Sequence, residues 1–163
     1  MTTNFMNDIE RGKIGEVIFK EDFLDFLSIN YEDVTGCQKF QIIDTDFITK
    51  IGTYEIKTNY KDDDVLIFED YTNINKELSK ISYGWVYKTS ADLIIFISKS
   101  TRTMVFLPFN DKFKGHYKFI RENTELIKNR VSEHGGRSWQ SAFRRVGFDL
   151  LSGYISVYKK NNI

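Results

Sequence analysis

The sequence predicts a single α/β domain built on a mixed central sheet with helices on its faces. Three observations carry that expectation. The chain has 163 residues, 41% of them hydrophobic, and one proline, which suffices for one domain with a genuine core and would be cramped for two. An apolar stripe of helical spacing opens it and is followed by a strand, a glycine-bearing turn and a strand. After a short helix-like stretch come two more strand-like apolar runs, at residues 93–97 and 103–109.

The elements follow in order. Ile14, Val17, Ile18, Phe23, Leu24 and Leu27 approximate a helical stripe, with Asp8 placed to cap it and Glu16 on the same helix. Residues 38–48 read as a strand, 49–53 as a turn and 54–57 as its partner strand. A turn centred between Lys50 and Ile51 opposes Asp46 to Glu55 and Asp44 to Lys57, with Cβ atoms about 5 Å apart. Lys61-Asp62-Asp63-Asp64 reads as a solvated turn, because consecutive residues of an extended strand cannot all face one ion. Residues 75–81 are expected to form a short central helix. Residues 112–131 are expected to form a long one, with Phe113, Tyr117, Ile120, Leu126, Ile127 and Val131 inward and Lys112, Lys114, Lys118, Arg121, Lys128 and Arg130 on wetter faces. Residues 132–138, with Gly135-Gly136, read as a loop. Trp139 and Phe143 read as core anchors beside Arg144 and Arg145.

The chemistry concentrates on the hairpin. Strand alternation projects Glu55 and Lys57 from one face while Tyr54 and Ile56 point to the other. Asp44, Asp46 and Glu55 then share a face with one ammonium. A surface salt-bridge ladder would use the same residues. The apolar neighbours Phe40, Ile42, Tyr54 and Ile56 instead draw the acids toward the core, where adjacent carboxylates repel and need a cation. Magnesium or manganese suits such oxygen ligands. Lys57 cannot ligate while protonated, but it can orient a water or neutralise charge developing on a phosphate. Two carboxylates and a lysine around one metal suit hydrolysis of a phosphodiester.

Asp46, a spacer of residues 47–54 and Glu55-Ile56-Lys57 resemble the signature of the PD-(D/E)XK nuclease superfamily, the restriction-endonuclease-like fold. Thr45 stands where the family name has proline. Gly15-Glu16 matches the place where several branches carry an extra acidic residue on the first helix, and the element order is similar to the family's αβββαβ core. The likeness covers roughly residues 8–110 and leaves 111–163 as a basic C-terminal extension of the same domain. It implies a magnesium-dependent endodeoxyribonuclease. Asp46, Glu55 and the Ile56 carbonyl would hold Mg²⁺ or Mn²⁺, Lys57 would position the attacking water, and Glu16 would stand as a further ligand or contact of metal-bound water; Asp44, which the hairpin register sets beside Lys57, would sit just outside these ligands or substitute for one.

Charge supports a phosphate-bearing partner. Residues 1–98 carry 10 Lys+Arg against 18 Asp+Glu, and residues 99–163 carry 13 against 5, within a net charge of zero. An acidic half and a basic half suit DNA bridging metal and cations, with Lys114, Lys118, Arg121, Arg144 and Arg145 as candidate phosphate contacts. A pair of oppositely charged solvated faces would share that composition. Cys37 is the only cysteine, so no intrachain disulfide is expected and a reducing, cytoplasmic setting fits. There is no apolar signal core or membrane-length run, and no Gly-rich phosphate loop implies a nucleotide cofactor. His116 and His134 lack partners at zinc spacing, and nothing in the sequence sets Cys37 beside either as a nucleophilic dyad. Two rivals to the nuclease remain: a catalytically silent module of the same fold that holds nucleic acid or a protein, and a structural homodimer.

Overall fold

The computed structural model describes residues 3–74, 81–134 and 137–159, as backbone only at 3–9, 11, 132–134 and 137. Helix α1 (Thr3–Phe19) runs into a π-helical turn (Lys20–Asp25). Then come β1 (Tyr31–Asp33), a one-turn helix α2 (Gln38–Gln41), β2 (Phe47–Thr49), β3 (Gly52–Tyr60), β4 (Val65–Asn73) and β5 (Ser82–Tyr83). A one-turn helix α3 (Trp85–Lys88), β6 (Leu93–Ser98), β7 (Met104–Pro108) and α4 (Asp111–Asn123) follow. The chain closes with β8 (Ile127–Lys128), β9 (Ser132–His134), β10 (Arg137–Trp139), β11 (Ala142–Gly147) and β12 (Ser156–Tyr158). The expected α/β class with a mixed sheet flanked by helices is what forms. Among the described residues no helix is long and apolar enough to cross a membrane.

The central sheet has the order β1-β2-β3-β6-β7-β12, antiparallel except where β3 lies parallel to β6. Alternation along its strands builds two cores. Tyr54, Ile56, Ile95, Ile97 and Met104 pack on one face against Ile18, Phe19 and Leu24. Ile94, Phe96, Val105 and Leu107 pack on the other against Phe68, Trp85, Phe113, Tyr117 and Ile120. Tyr60 departs from the alternation. A register shift between Lys57 and Tyr60 moves it to the second core, while Tyr54 and Ile56 stay in the first.

A second sheet, β5-β4-β11-β8, stands beside the first. Its β11 runs antiparallel to β4 from Ala142↔Tyr71 to Gly147↔Val65, and β12 closes the central sheet against β7. The stretch after residue 110 is therefore woven through both sheets rather than appended to a finished core.

Several local expectations are corrected. Helix α1 starts before Asp8, so that residue sits inside the helix rather than capping it. Ile14, Val17 and Leu27 are exposed while Ile18, Phe19 and Leu24 are buried. The cause is a close approach at Gly15, where a Cβ would overlap Thr58 Cγ2, together with the π-helical turn, which shifts the phase of the stripe. Residues 38–41 are helical rather than strand, and β2 begins only at Phe47. Helix α4 ends at Asn123, because the Arg144 guanidinium takes the carbonyls of Arg121 and Thr124 and Ile127 pairs with Phe143 in a strand. The expected loop at 132–138 includes the hairpin β9–β10. Trp139 is 37% exposed and Phe143 only partly buried, so neither anchors the core. Of the helix expected at 75–81, residues 75–80 lie outside the described residues.

Candidate active site

The β2–β3 hairpin turns where the sequence places it: Thr49 pairs with Gly52 and Phe47 with Tyr54. Thr49 Oγ1 accepts the Ile51 amide at 3.2 Å and donates to the Gly52 carbonyl at 3.1 Å, closing the turn. Carried one step past β2, the register sets Asp46 opposite Glu55. The Asp46 amide donates to the Tyr54 carbonyl at 2.8 Å, and the Asp46 carboxylate accepts the Ile56 amide at 2.8 Å. Asp44 arrives differently from the expectation. It lies in a turn with φ 46, and its carbonyl accepts the Thr89 hydroxyl at 3.0 Å, so it does not pair with Lys57 along a ladder. Its charge still reaches Lys57 through space.

Glu55 and Lys57 share the face of β3 that looks toward Trp85. Lys57 Nζ pairs with Glu55 Oε1 and lies 5.5 Å from the centre of the Trp85 ring. Glu55 is buried, and its Oε2, like Asp44 Oδ2, meets no hydrogen-bond partner. Burial pushes the Glu55 carboxyl up to about 8, with Lys57 pulling it down and Asp46 adding to the rise. Burial likewise raises Asp46 to about 6, opposed by the Ile56 amide and reinforced by Glu16. On Lys57 burial disfavours the ammonium, but Glu55, Asp44 and Asp46 outweigh it and the group is raised. Glu16 is half-buried beside this cluster and raised by burial and by the charges of Asp33 and Glu55. The Gly15 contact with Thr58 holds α1 close enough to β3 for that.

Glu69 belongs to the cluster and is invisible in the motif. It is partly buried on β4, raised by burial and lowered in turn by Lys57 and Lys88, with Asp44 opposing. Gly84 fits against its backbone so tightly that a Cβ there would overlap the Glu69 carbonyl.

Lys57 also lines a cleft of about 1010 Å³ between the two sheets. Ile56, Asn59, Lys61, Val65, Ile67, Lys99, Asn129, Phe143 and Arg145 contribute to its walls, with Asp63 the acidic residue among them. Four cations, Lys57, Lys61, Lys99 and Arg145, thus border one groove. Lys61 and Lys99 were not among the expected phosphate contacts. The signal for them was the parallel pairing of β3 with β6, which sets Tyr60 beside Ser98 and so brings the residues that follow each together.

The expected basic residues divide. Arg145 is exposed and lines the cleft, with Asp63 at 3.4 Å. Lys114, Lys118 and Arg121 are exposed on α4 outside the cleft lining, Lys114 over Phe109 and Arg121 over Tyr87. Arg144 is a correction. It is buried, its Nε donates to Asp70 at 2.7 Å and its Nη1 donates to the end of α4, so it is not presented to a ligand. Asp62 accepts the Ser98 hydroxyl at 2.7 Å and bonds Thr101 as well, so the acidic run after β3 is a structured turn. His116 is satisfied by the Leu150 carbonyl at 2.7 Å and stacks on Tyr154.

Among the described residues no group of three or more His, Cys, Asp or Glu side chains converges in metal-ligating geometry. The chain matches no protein-family model, no curated protein and no solved structure, so the reading of this site rests on its own geometry.

Proposed function

We propose that this chain is a divalent-metal-dependent nuclease that hydrolyses phosphodiester bonds of DNA, of the PD-(D/E)XK type that its Asp46 and Glu55-Ile56-Lys57 pattern resembles. The observation that carries the reading is Glu55: a buried acid with one oxygen on Lys57, which lines the cationic cleft, and the other without a donor, its carboxyl close enough to Asp46 to share a proton with it. A buried orphaned oxygen is costly unless something occupies it. The connectivity adds support, since α1, the meander β1–β2–β3, then α3 and a β6 parallel to β3 agree with an αβββαβ core in which β4 and β5 are inserted.

The donor set fits a hard ion: carboxylate oxygens of Asp46 and Glu55, with the Ile56 carbonyl added by the resemblance. Bound Mg²⁺ or Mn²⁺ would supply a polarised phosphodiester oxygen and a more acidic water. Asp46 and Glu55 must release the protons that burial favours before they can ligate. Lys57 Nζ, freed from Glu55, then donates to the attacking water or to a phosphate oxygen, and the Trp85 ring beside it limits its swing. Lys61, Lys99 and Arg145 hold flanking phosphates along the cleft.

The test is a panel of supercoiled, linear, single-stranded and branched DNA, with RNA beside it, incubated with Mg²⁺, Mn²⁺ or EDTA. Cleavage of a DNA member that EDTA abolishes is expected. The Glu55–Lys57 ion pair favours one second reading, a silent module in which the two charges neutralise each other without an ion. Binding to the panel without cleavage by either metal would establish that reading instead.

A further inference from the structure

We propose that Tyr71, Tyr83 and Tyr87, together with Lys88 and Arg121, form a stacking track for the unpaired bases of single-stranded nucleic acid. As a description of the substrate's path it rests on the nuclease reading, and it specifies a strand whose bases are free.

One strand carries both a wall of the cleft and, past a β-bulge, the start of the track. On β4 alternate residues share a face, and Val65 and Ile67 line the cleft. Glu69, next on that face, feels Lys57, and the bulge after it turns Tyr71 to the other face, where it pairs with the buried Ala142. Tyr71 pairs across the sheet with Tyr83, and their rings lie 5.7 Å apart at 31°. Tyr83 meets Tyr87 at 5.4 Å and 64°. Three tyrosines from β4, β5 and α3 thus form one ladder.

The ladder is open to solvent, with Tyr83 53% and Tyr87 42% exposed. Exposed rings clustered in this way are a binding feature when charge accompanies them. Arg121 lies with its guanidinium 5.8 Å from the centre of the Tyr87 ring. Lys88 Nζ reaches Thr72 Oγ1 at 3.5 Å, and that hydroxyl in turn donates to the Tyr83 carbonyl. Rings with interleaved cations suit bases stacked on the rings and phosphates beside the cations. A duplex keeps its base faces inside its own stack, so the ladder selects single strands.

The test is fluorescence anisotropy in EDTA, where binding is read without cleavage, using an oligothymidylate, an abasic strand of equal length and a duplex. The wild type should bind the oligothymidylate about tenfold or more tighter than the abasic strand. The double variant Tyr83→Ala, Tyr87→Ala should erase that difference with its thermal midpoint unchanged, and Tyr83→Phe, Tyr87→Phe should keep it. Equal affinity of the wild type for base-bearing and abasic strands would overturn the proposal, as would an unaltered preference in the alanine variant. So would a concentration-dependent dimer that the alanine variant loses, because the ladder would then be covered by a second copy. The two readings fail separately. Tyrosine-dependent binding without metal-dependent cleavage would sink the nuclease and keep the track, and cleavage by an alanine variant with wild-type strand preference would do the reverse.

Discussion

The carboxylate of Asp46 accepts the amide of Ile56 at 2.8 Å, so one hairpin strand holds the backbone of the other between Glu55 and Lys57. A side chain that would otherwise swing is thereby fixed beside the acid opposite it. The same bond ties the geometry of the candidate ligands to the integrity of the hairpin.

Protonation of the site sets a sign for the metal-free protein. The Glu55 carboxyl is raised to about 8 and Asp46 to about 6 in the fold, above the unfolded values of about 4. The folded state then binds protons that the unfolded state releases, so this contribution to stability is full below about pH 4 and is lost as pH rises through 6 and 8. Thermal midpoints of the metal-free protein should fall between pH 5 and pH 8.5, and Glu55→Gln should flatten the fall. A wild-type midpoint that is level or rising over that range would show the pair ionised in the fold.

Lys57→Ala should lower cleavage by about a hundredfold or more, the usual effect of losing one transition-state electrostatic contact, while Mg²⁺ still binds by calorimetry. Glu55→Ala should weaken the ion as well. If both variants lose the ion equally, Lys57 holds the site together rather than assisting the reaction.

Salt dependence separates the two basic surfaces. Each phosphate contact removed should reduce the log–log slope of duplex affinity by about 0.9. Charge reversal at Lys61, Lys99 and Arg145 is expected to flatten the slope, and reversal at Lys114 and Lys118 to leave it. The opposite pattern would route the substrate along α4.

Arg144→Ala should destabilise the protein by about 3–5 kcal/mol in urea titration, because it strands the buried Asp70 carboxylate beside Tyr117. Nucleic-acid affinity per folded molecule should not change. A surface role would show the reverse, a stable protein with weakened binding.

Gly15→Val should cost about 1–3 kcal/mol by overpacking against Thr58 and should loosen Glu16 from the cluster. Denaturant midpoints check the first effect. A variant as stable as the wild type would mean that α1 shifts freely on β3.

The hairpin was legible because a turn at Lys50-Ile51 and strict alternation fix a register, and Glu55, Lys57 and Asp46 fell where that register puts them. The core strands β6 and β7 were legible as uninterrupted apolar runs. What escaped were places where long-range contacts override local pattern. The helical spacing of Leu126, Ile127 and Val131 continues that of α4, but Arg144, distant in sequence, ends the helix first. Arg144 and Arg145 are neighbours in the chain and opposite in role, because adjacent residues of β11 face opposite ways and only pairing with β4 decides which faces inward. Glu69 carries no motif, and only the meeting of two sheets brings it to the site, while Lys99 is placed by the pairing of β3 with β6.

The pairing of β11 with β4 also bears on how the site is assembled. Arg145 and Asp63, 82 residues apart in sequence, meet across the cleft. The acid pair comes from residues 46 and 55, while one wall of the groove comes from residues 142–147. Because a domain folds as a unit, the hairpin and that distant wall should become ordered in one cooperative step, so that loosening β11 would be felt by the groove and by the hairpin together.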